Sequence, residues 1–507
     1  MFLIVKITLS LYNGTRFILK FYLTLFTQNW SQQHMESGKL QKLINIFWDN
    51  DILPTLFEYI KIPNKSPVFD PNWKANGYMD KVIKLVSDWI KKHKPQSGIL
   101  HQFVENDRTP LLLLDIPGSI DGTVLMYGHL DKQPEMEGWA EELGPWKPVL
   151  KDGKLYGRGG ADDGYAVFSS VCAVNALLQQ GIDLPRIVIM IECSEESGSP
   201  DLPFYMDHCS DVIGSPDLVI CLDSGVGNYE QFWNTTSLRG MVGCTLRVDI
   251  LKEGIHSGVG SGIIPSSFRI IRQLLSRLED EKNGQILLED LYVNIPGYRV
   301  EEVKTMVNVL GDKVFNTLPW IDKAGPMTDD KVEMVINRTW RPMLSIVGMD
   351  GIPAVEDGGN VLRPYTALKL SLRIPPTLDG NFAQKAVEKT LQNHVPYGAK
   401  VKLAFDKSAT GWEAPTLSQW LNDAIQTASE SVFGKPALSM GEGGSIPFMS
   451  MLGEKFPNAQ FVITGVLGPQ SNAHGPNEFL HISYAKKLTT CIGIILQAFE
   501  VNNSKNI

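Results

Sequence analysis

The sequence is poor in several features that would assign a protein class at once, and each shortage excludes something. Six cysteines in 507 residues, at 172, 193, 209, 221, 244 and 491, form no CxxC pair. Most sit in apolar runs such as LVICLD and CIGIIL, as reduced core cysteines do, so neither a disulfide framework nor a cysteine zinc site is expected and the compartment expected is the cytoplasm. Positive charge is also short: 47 Lys and Arg against 56 Asp and Glu leave a net charge of -9. With no basic stripe, a nucleic-acid partner is excluded. Nor is there an unbroken apolar run of about twenty residues. The apolar start MFLIVKITLSLYNGTRFILKFYLTLF is interrupted by Lys6, Arg16 and Lys20, and no small-residue cleavage site follows it. No membrane partner is therefore expected. The stretch 1–34 reads as an extension, with the functional protein starting near Met35. Internal repeats and low-complexity tracts are absent within the body of the chain.

What is present is an alternation of strands and helices. After helical patterns in LQKLINIFW and YMDKVIKLVSDWIKKHK, short apolar strands follow in PLLLLDIP, TVLMYGHLD, RIVIMIECSEE and DLVICLDSG. YAVFSSVCAVNALLQQG between them reads as a helix closed by glycine. This order predicts an α/β fold with a mixed, largely parallel sheet flanked by helices. Around Leu238 the style changes to alternating strands (RGMVGCTLRVDILK, TALKLSLRIPP, AKVKLAFD) with two helices. That predicts a smaller α+β domain over 238–410, between catalytic parts at 35–237 and 411–507.

The strands end in polar chemistry, on the side where α/β sheets bind ligands. His129 and Asp131 close the second strand. A neutral imidazole suits zinc, and a metal-bound His needs a carboxylate to fix its orientation. Asp162 and Asp163 follow a glycine-rich turn and open the next helix, where a carboxylate with its two oxygens can bridge two metals. Glu192, Glu195 and Glu196 crowd the end of a third strand, a costly arrangement without nearby cations. One Glu can ligate while its neighbour moves a proton. Asp223 ends a fourth strand, and His474 lies in the loop QSNAHGPNE. Singly, each has an ordinary explanation: a surface turn, a helix cap, a solvated acidic loop, an exposed histidine. Their joint occurrence in this order does not.

The series YGHLDKQP, GRGGADDG, SEESGS, a strand-terminal Asp and a late AHGPNE resembles the M20 metallopeptidase family. Within it, the resemblance is to the dipeptidase-like branch that includes cytosolic nonspecific dipeptidase and carnosinase, and it runs from about Met35 to the C-terminal helix. The resemblance implies that His129, Asp162, Glu196, Asp223 and His474 ligate two divalent ions, zinc first with manganese or cobalt as alternatives, and that Asp162 bridges them. Asp131 would orient His129, and Glu195 would be the general base and proton shuttle. The insert would be a lid that also forms a homodimer. His256, in IHSG, would reach the active site of the partner subunit, and Asn360 would be a polar residue contributed across the dimer. Arg373 would hold the terminal carboxylate of a small peptide substrate, and Ser445 lies in a glycine-rich loop that would anchor it. Gly164 and Tyr165 stand where many relatives have a Lys-Gly pair; with Met136, Trp139 and Trp412 they mark a pocket of different shape. The activity implied is peptide-bond hydrolysis of dipeptides or short peptides. The same cage also serves N-acyl-amino-acid amidohydrolases, and a silent binding relative is the third reading.

Overall fold

The computed structural model describes residues 37–105, 107–406 and 408–504. The extension expected at 1–34 lies outside the described residues. A six-stranded sheet forms the centre, in the order Ile99–Phe103, Leu111–Ile116, Arg186–Glu192, Thr123–His129, Leu218–Cys221, Gln460–Ile463. The last four run parallel, and the first two add antiparallel pairings at one edge. Strands covered on both faces read as continuous apolar runs rather than alternating ones. In Thr123–His129 every residue after the first is buried. Val124 and Met126 face a core built with the helices Tyr78–His93, Tyr165–Leu178 and Ile482–Ser504. Leu125 and Tyr127 face a second core with Leu202–His208 and Pro447–Lys455. All six cysteines are buried and free.

A separate four-stranded antiparallel sheet has the order Met343–Asp350, Tyr365–Ile374, Gly240–Asp249, Lys400–Phe405. The helices Ser267–Leu275 and Gly380–Gln392 pack on it through Ile270, Ile271, Leu274, Ala383 and Val387, giving it a core of its own. The stretch expected as one insert, 238–410, is not one packing unit. Its helices Gly297–Leu310 and Lys331–Thr339 place Val303, Met306, Val335 and Ile336 in the larger core, against Leu438 and Met440. The chain thus leaves the central body, returns to it over 297–340, and leaves again. Trp412 was expected to shape a pocket; instead it is buried in the second core, edge-on to Phe461. No helix among the described residues is long and apolar enough to cross a membrane.

Candidate functional site

The site starts with a close approach of backbone to backbone. Gly128 precedes His129 on its strand, and a Cβ there would lie 2.6 Å from the Ala166 Cβ and 2.7 Å from an Asp163 oxygen. Glycine alone lets the turn at 160–164 sit against the strand end. The turn is fixed further by Asp163, whose Oδ2 accepts from the His129 backbone N–H at 3.2 Å. Gly164 is required sterically, because a Cβ there would collide with the Tyr59 ring. Tyr59 in turn donates its hydroxyl to the Leu130 carbonyl at 2.8 Å.

Two groups of potential ligands result, His129–Asp162–Asp223 and Asp162–Glu196–His474, and Asp162 belongs to both. His129 Nε2 lies 3.4 Å from Asp162 Oδ1 and 3.8 Å from Asp223 Oδ2. His474 Nε2 lies 3.1 Å from Asp162 Oδ2 and 3.3 Å from Glu196 Oε2. Every residue expected in the cage is in one group or the other. His129 Nε2 and Glu196 Oε1 are buried with no hydrogen-bond partner among the described residues, which is costly unless something else engages them. Two imidazoles and three carboxylates are a donor set suited to zinc, manganese or cobalt. The residues therefore fit a pair of divalent cations.

Asp131 has two jobs. Its Oδ1 is 3.4 Å from His129 Nδ1. The same carboxylate accepts the backbone N–H groups of Glu195 and Glu196 at 3.1 and 3.0 Å. It thus fixes the orientation of one candidate ligand and the turn that carries another, with Glu195 between them. Glu192, the third acid of that strand end, points elsewhere: it accepts from the hydroxyls of Tyr127 at 2.7 Å and Ser199 at 2.8 Å.

Charge crowding is visible in the titration of the acids. Burial pushes Asp223 up to about 6. Burial and the Asp131 charge push Glu192 up to about 7. Burial, then the charge of Asp223, holds Glu195 well above the ordinary range, and burial with Asp162 does the same for Glu196. Burial also opposes ionisation of Asp162, but the imidazoles of His129 and His474 outweigh it and keep that carboxyl low. Three carboxylates against two imidazoles leave an excess of negative charge that cations would relieve.

The residues missed in the sequence bind the motif loops to each other. Arg158, in GRGG, is buried and donates to Glu478 Oε2 at 2.7 Å, to the Gly475 carbonyl at 2.7 Å and to the Pro134 carbonyl at 3.1 Å. Glu478 in turn accepts from the backbone N–H groups of Gly159 at 3.0 Å and Ala161 at 3.3 Å. This ion pair ties the loop of His474 to the loop of Asp162 and to the chain that follows Asp131. Lys132 runs fully buried beneath the same turn and donates to the carbonyls of Tyr59 and Ile62, both at 2.8 Å. Arg in a glycine turn and Glu four residues after His474 were both inside the quoted motifs. Their pairing across 320 positions is what sequence spacing does not show.

The other expected residues fall in two places. Arg373 Nη1 donates to Ser445 Oγ at 3.0 Å, so these two are brought together where the antiparallel sheet meets the glycine-rich loop. His256 and Asn360 lie side by side at an exposed end of the antiparallel domain. His256 pairs with Val361 in a short ladder, and the Ser257 N–H bonds the Asn360 carbonyl at 2.8 Å. The His256 ring accepts the Gly258 N–H, at 3.1 Å, and among the described residues makes no hydrogen bond or ion pair to the cage of its own chain.

Several proteins of known name are similar to this chain in sequence or fold. The chain is 27% identical over 383 residues to the cysteinylglycine-S-conjugate dipeptidase of Corynebacterium striatum, covering 72% of this chain and 79% of that protein. It is 28% identical over 384 residues to the human Beta-Ala-His dipeptidase, covering 73% of each. The crystal structure of human carnosine dipeptidase 1 shares its fold with a TM-score of 0.73, at 21% identity and over 92% of this chain and 99% of that one. The model of peptidase family M20/M25/M40 matches residues 125–500, a span that contains all five cage residues and Glu195, and the chain belongs to that family.

Proposed function

We propose that the chain hydrolyses dipeptides, and that its five cage residues hold two zinc ions, with manganese or cobalt as functional substitutes. The observation that carries this reading is the pair of ligand groups sharing Asp162, with Glu195 held beside them by Asp131. Two divalent cations in such a cage supply Lewis acidity, which polarises a peptide carbonyl and lowers the pKa of water. The chain's own residues do the rest. Glu195 takes the proton of the attacking water and returns it to the leaving amine; a carboxyl held above its ordinary range suits both directions of that transfer. Asp131 keeps the His129 ring and the Glu195–Glu196 turn in place. Arg373 and Ser445, already hydrogen-bonded to each other, receive the substrate's terminal carboxylate.

His256 and Asn360 have no role in their own subunit's cage. They serve that of a second copy, where His256 of the partner subunit stabilises the developing oxyanion. Support for a homodimer comes from the outer strand Met343–Asp350, which pairs on one side only and exposes Val347 and Met349. Six buried free cysteines agree with a reducing, cytoplasmic setting. The deciding experiment is Glu195→Gln assayed with a dipeptide panel and N-acetyl amino acids. Turnover of dipeptides by the native chain, its loss by about a thousandfold or more in the variant, and unchanged metal content support the proposal. Turnover of N-acetyl amino acids alone, or near-native turnover of the variant, overturns it.

A further inference from the structure

One cage carboxylate is aimed by an amide that belongs to neither group of candidate ligands. Gln133, in the motif HLDKQP, is buried and brings its Nε2 to 2.5 Å from Glu196 Oε2. A carboxylate only accepts, so the amide N–H donates to that oxygen. The same oxygen lies 3.3 Å from His474 Nε2. A ring nitrogen that ligates an ion turns its lone pair to it and donates nothing there. Gln133 is then the hydrogen-bond donor that holds the Glu196 carboxylate among the described residues. The second oxygen, Oε1, is buried and has no partner among them.

The turn that carries Glu196 does not depend on this contact. Asp131 accepts the backbone N–H groups of Glu195 and Glu196 at 3.1 and 3.0 Å. Ser197 Oγ lies 2.6 Å from Ser66 Oγ and accepts the Val68 N–H at 3.0 Å. Backbone and side chain of the turn are thus held by different residues, and Gln133 acts on the side chain. Gln133 is itself fixed from both sides. Lys132 is anchored through its ammonium to the carbonyls of Tyr59 and Ile62, and its own carbonyl accepts the Ser66 N–H at 2.9 Å. On the other side the Pro134 carbonyl accepts Arg158 Nε at 3.1 Å, and the Glu135 carbonyl accepts Trp139 Nε1 at 2.7 Å. A side chain on so constrained a segment is pre-set for its partner.

We infer that Gln133 is a positioning residue for one of the two metal positions. By engaging Oε2 it leaves Oε1 as the oxygen that a cation in the Asp162–Glu196–His474 group takes up, so that Glu196 ligates through one oxygen. The hydrogen bond touches no atom of His129 or Asp223, so the other position is insensitive to it. The inference rests on the two-cation reading and goes beyond it by making the two positions separately tunable.

The test is zinc affinity at each position, measured by chelator competition on the full chain. Gln133→Met keeps the length of the side chain and removes the donor. It should weaken one ion by about 10- to 100-fold and leave the other within about twofold of native. Gln133→Leu should give the same one-site loss. Lys65→Met is the control, because it removes a partly exposed ion pair with Glu135, at 3.0 Å, from the same segment and leaves the amide in place; both ions should bind as in the native chain. Equal weakening of both ions in the Gln133 variants, or native affinity for both, overturns the inference and leaves the two-cation reading standing. A native chain that binds fewer than two ions overturns both.

Discussion

Replacing Glu478 by Gln tests whether the buried Arg158–Glu478 pair positions the metal ligands or merely adds stability. Both side chains are essentially inaccessible to solvent, and their N–O distance is 2.7 Å. Removing one charge from such a pair costs about 3 to 5 kcal/mol, because the other is left buried and unpaired. Glutamine keeps an acceptor for the Gly159 N–H, so the loss should fall near the lower end. The specific prediction concerns metal. Arg158 holds the Gly475 carbonyl next to His474, and Glu478 holds the Ala161 N–H next to Asp162. Loosening both loops should weaken divalent-ion affinity by about 10- to 100-fold, the usual effect of losing groups behind the ligands. The assay is chelator competition for zinc, together with thermal unfolding. Arg299 gives the control: it is also buried, is paired with Glu302 at 2.9 Å and Glu413 at 3.3 Å, and touches none of the cage residues. Arg299→Met should lower stability with zinc affinity intact. If Glu478→Gln loses stability but binds zinc within about twofold of the native chain, the pair is structural only and the reasoning fails.

Three other expectations are independent of that one. Gly164→Ala should be strongly destabilising, because its Cβ would meet the Tyr59 ring at 2.2 Å; Tyr59→Ala in the same chain should recover part of the loss by vacating that space, and simple additivity of the two losses would refute the steric account. Glu192 is protonated in the fold up to about pH 7, whereas in the unfolded chain it ionises near 4.5. Stability contributed by this group is therefore complete below about pH 4.5 and lost as pH rises through 7, amounting to about 3 kcal/mol at most. Glu192→Gln should flatten the stability curve across that window, and an unchanged slope in urea unfolding would contradict it. Arg373→Lys should raise KM for a dipeptide with a smaller effect on kcat, since a point charge replaces a planar fork. A pure kcat effect would assign Arg373 a different role.

The parts of the fold legible in the sequence are those where one local signal suffices. Thr123–His129 and Arg186–Glu192 are covered on both faces, so their apolar runs stand out, and the acids ending them stand out in turn. Met343–Asp350 was missed because it is an outer strand with little buried surface and no alternating pattern. The helices over 297–340 were placed with the wrong domain for a related reason. Their apolar stripe shows that they pack, but not against which sheet. The same limit applies at the site. Candidate ligands announce themselves by residue type at strand ends, whereas the roles of Lys132, Arg158 and Glu478 arise from contacts between loops distant in sequence. Asp131 was legible as a partner of His129, but its hold on the backbone of Glu195 and Glu196 depends on the third dimension.

The central claim is that Asp162 is shared by two metal positions, and zinc titration by calorimetry of the metal-stripped chain, native and Asp162→Ala, tests it most directly. The account predicts two tightly bound ions per chain in the native protein, one for each ligand group, with both sites weakened together in the variant. A native stoichiometry of one, or a variant that loses one ion and binds the other with native affinity, would contradict it.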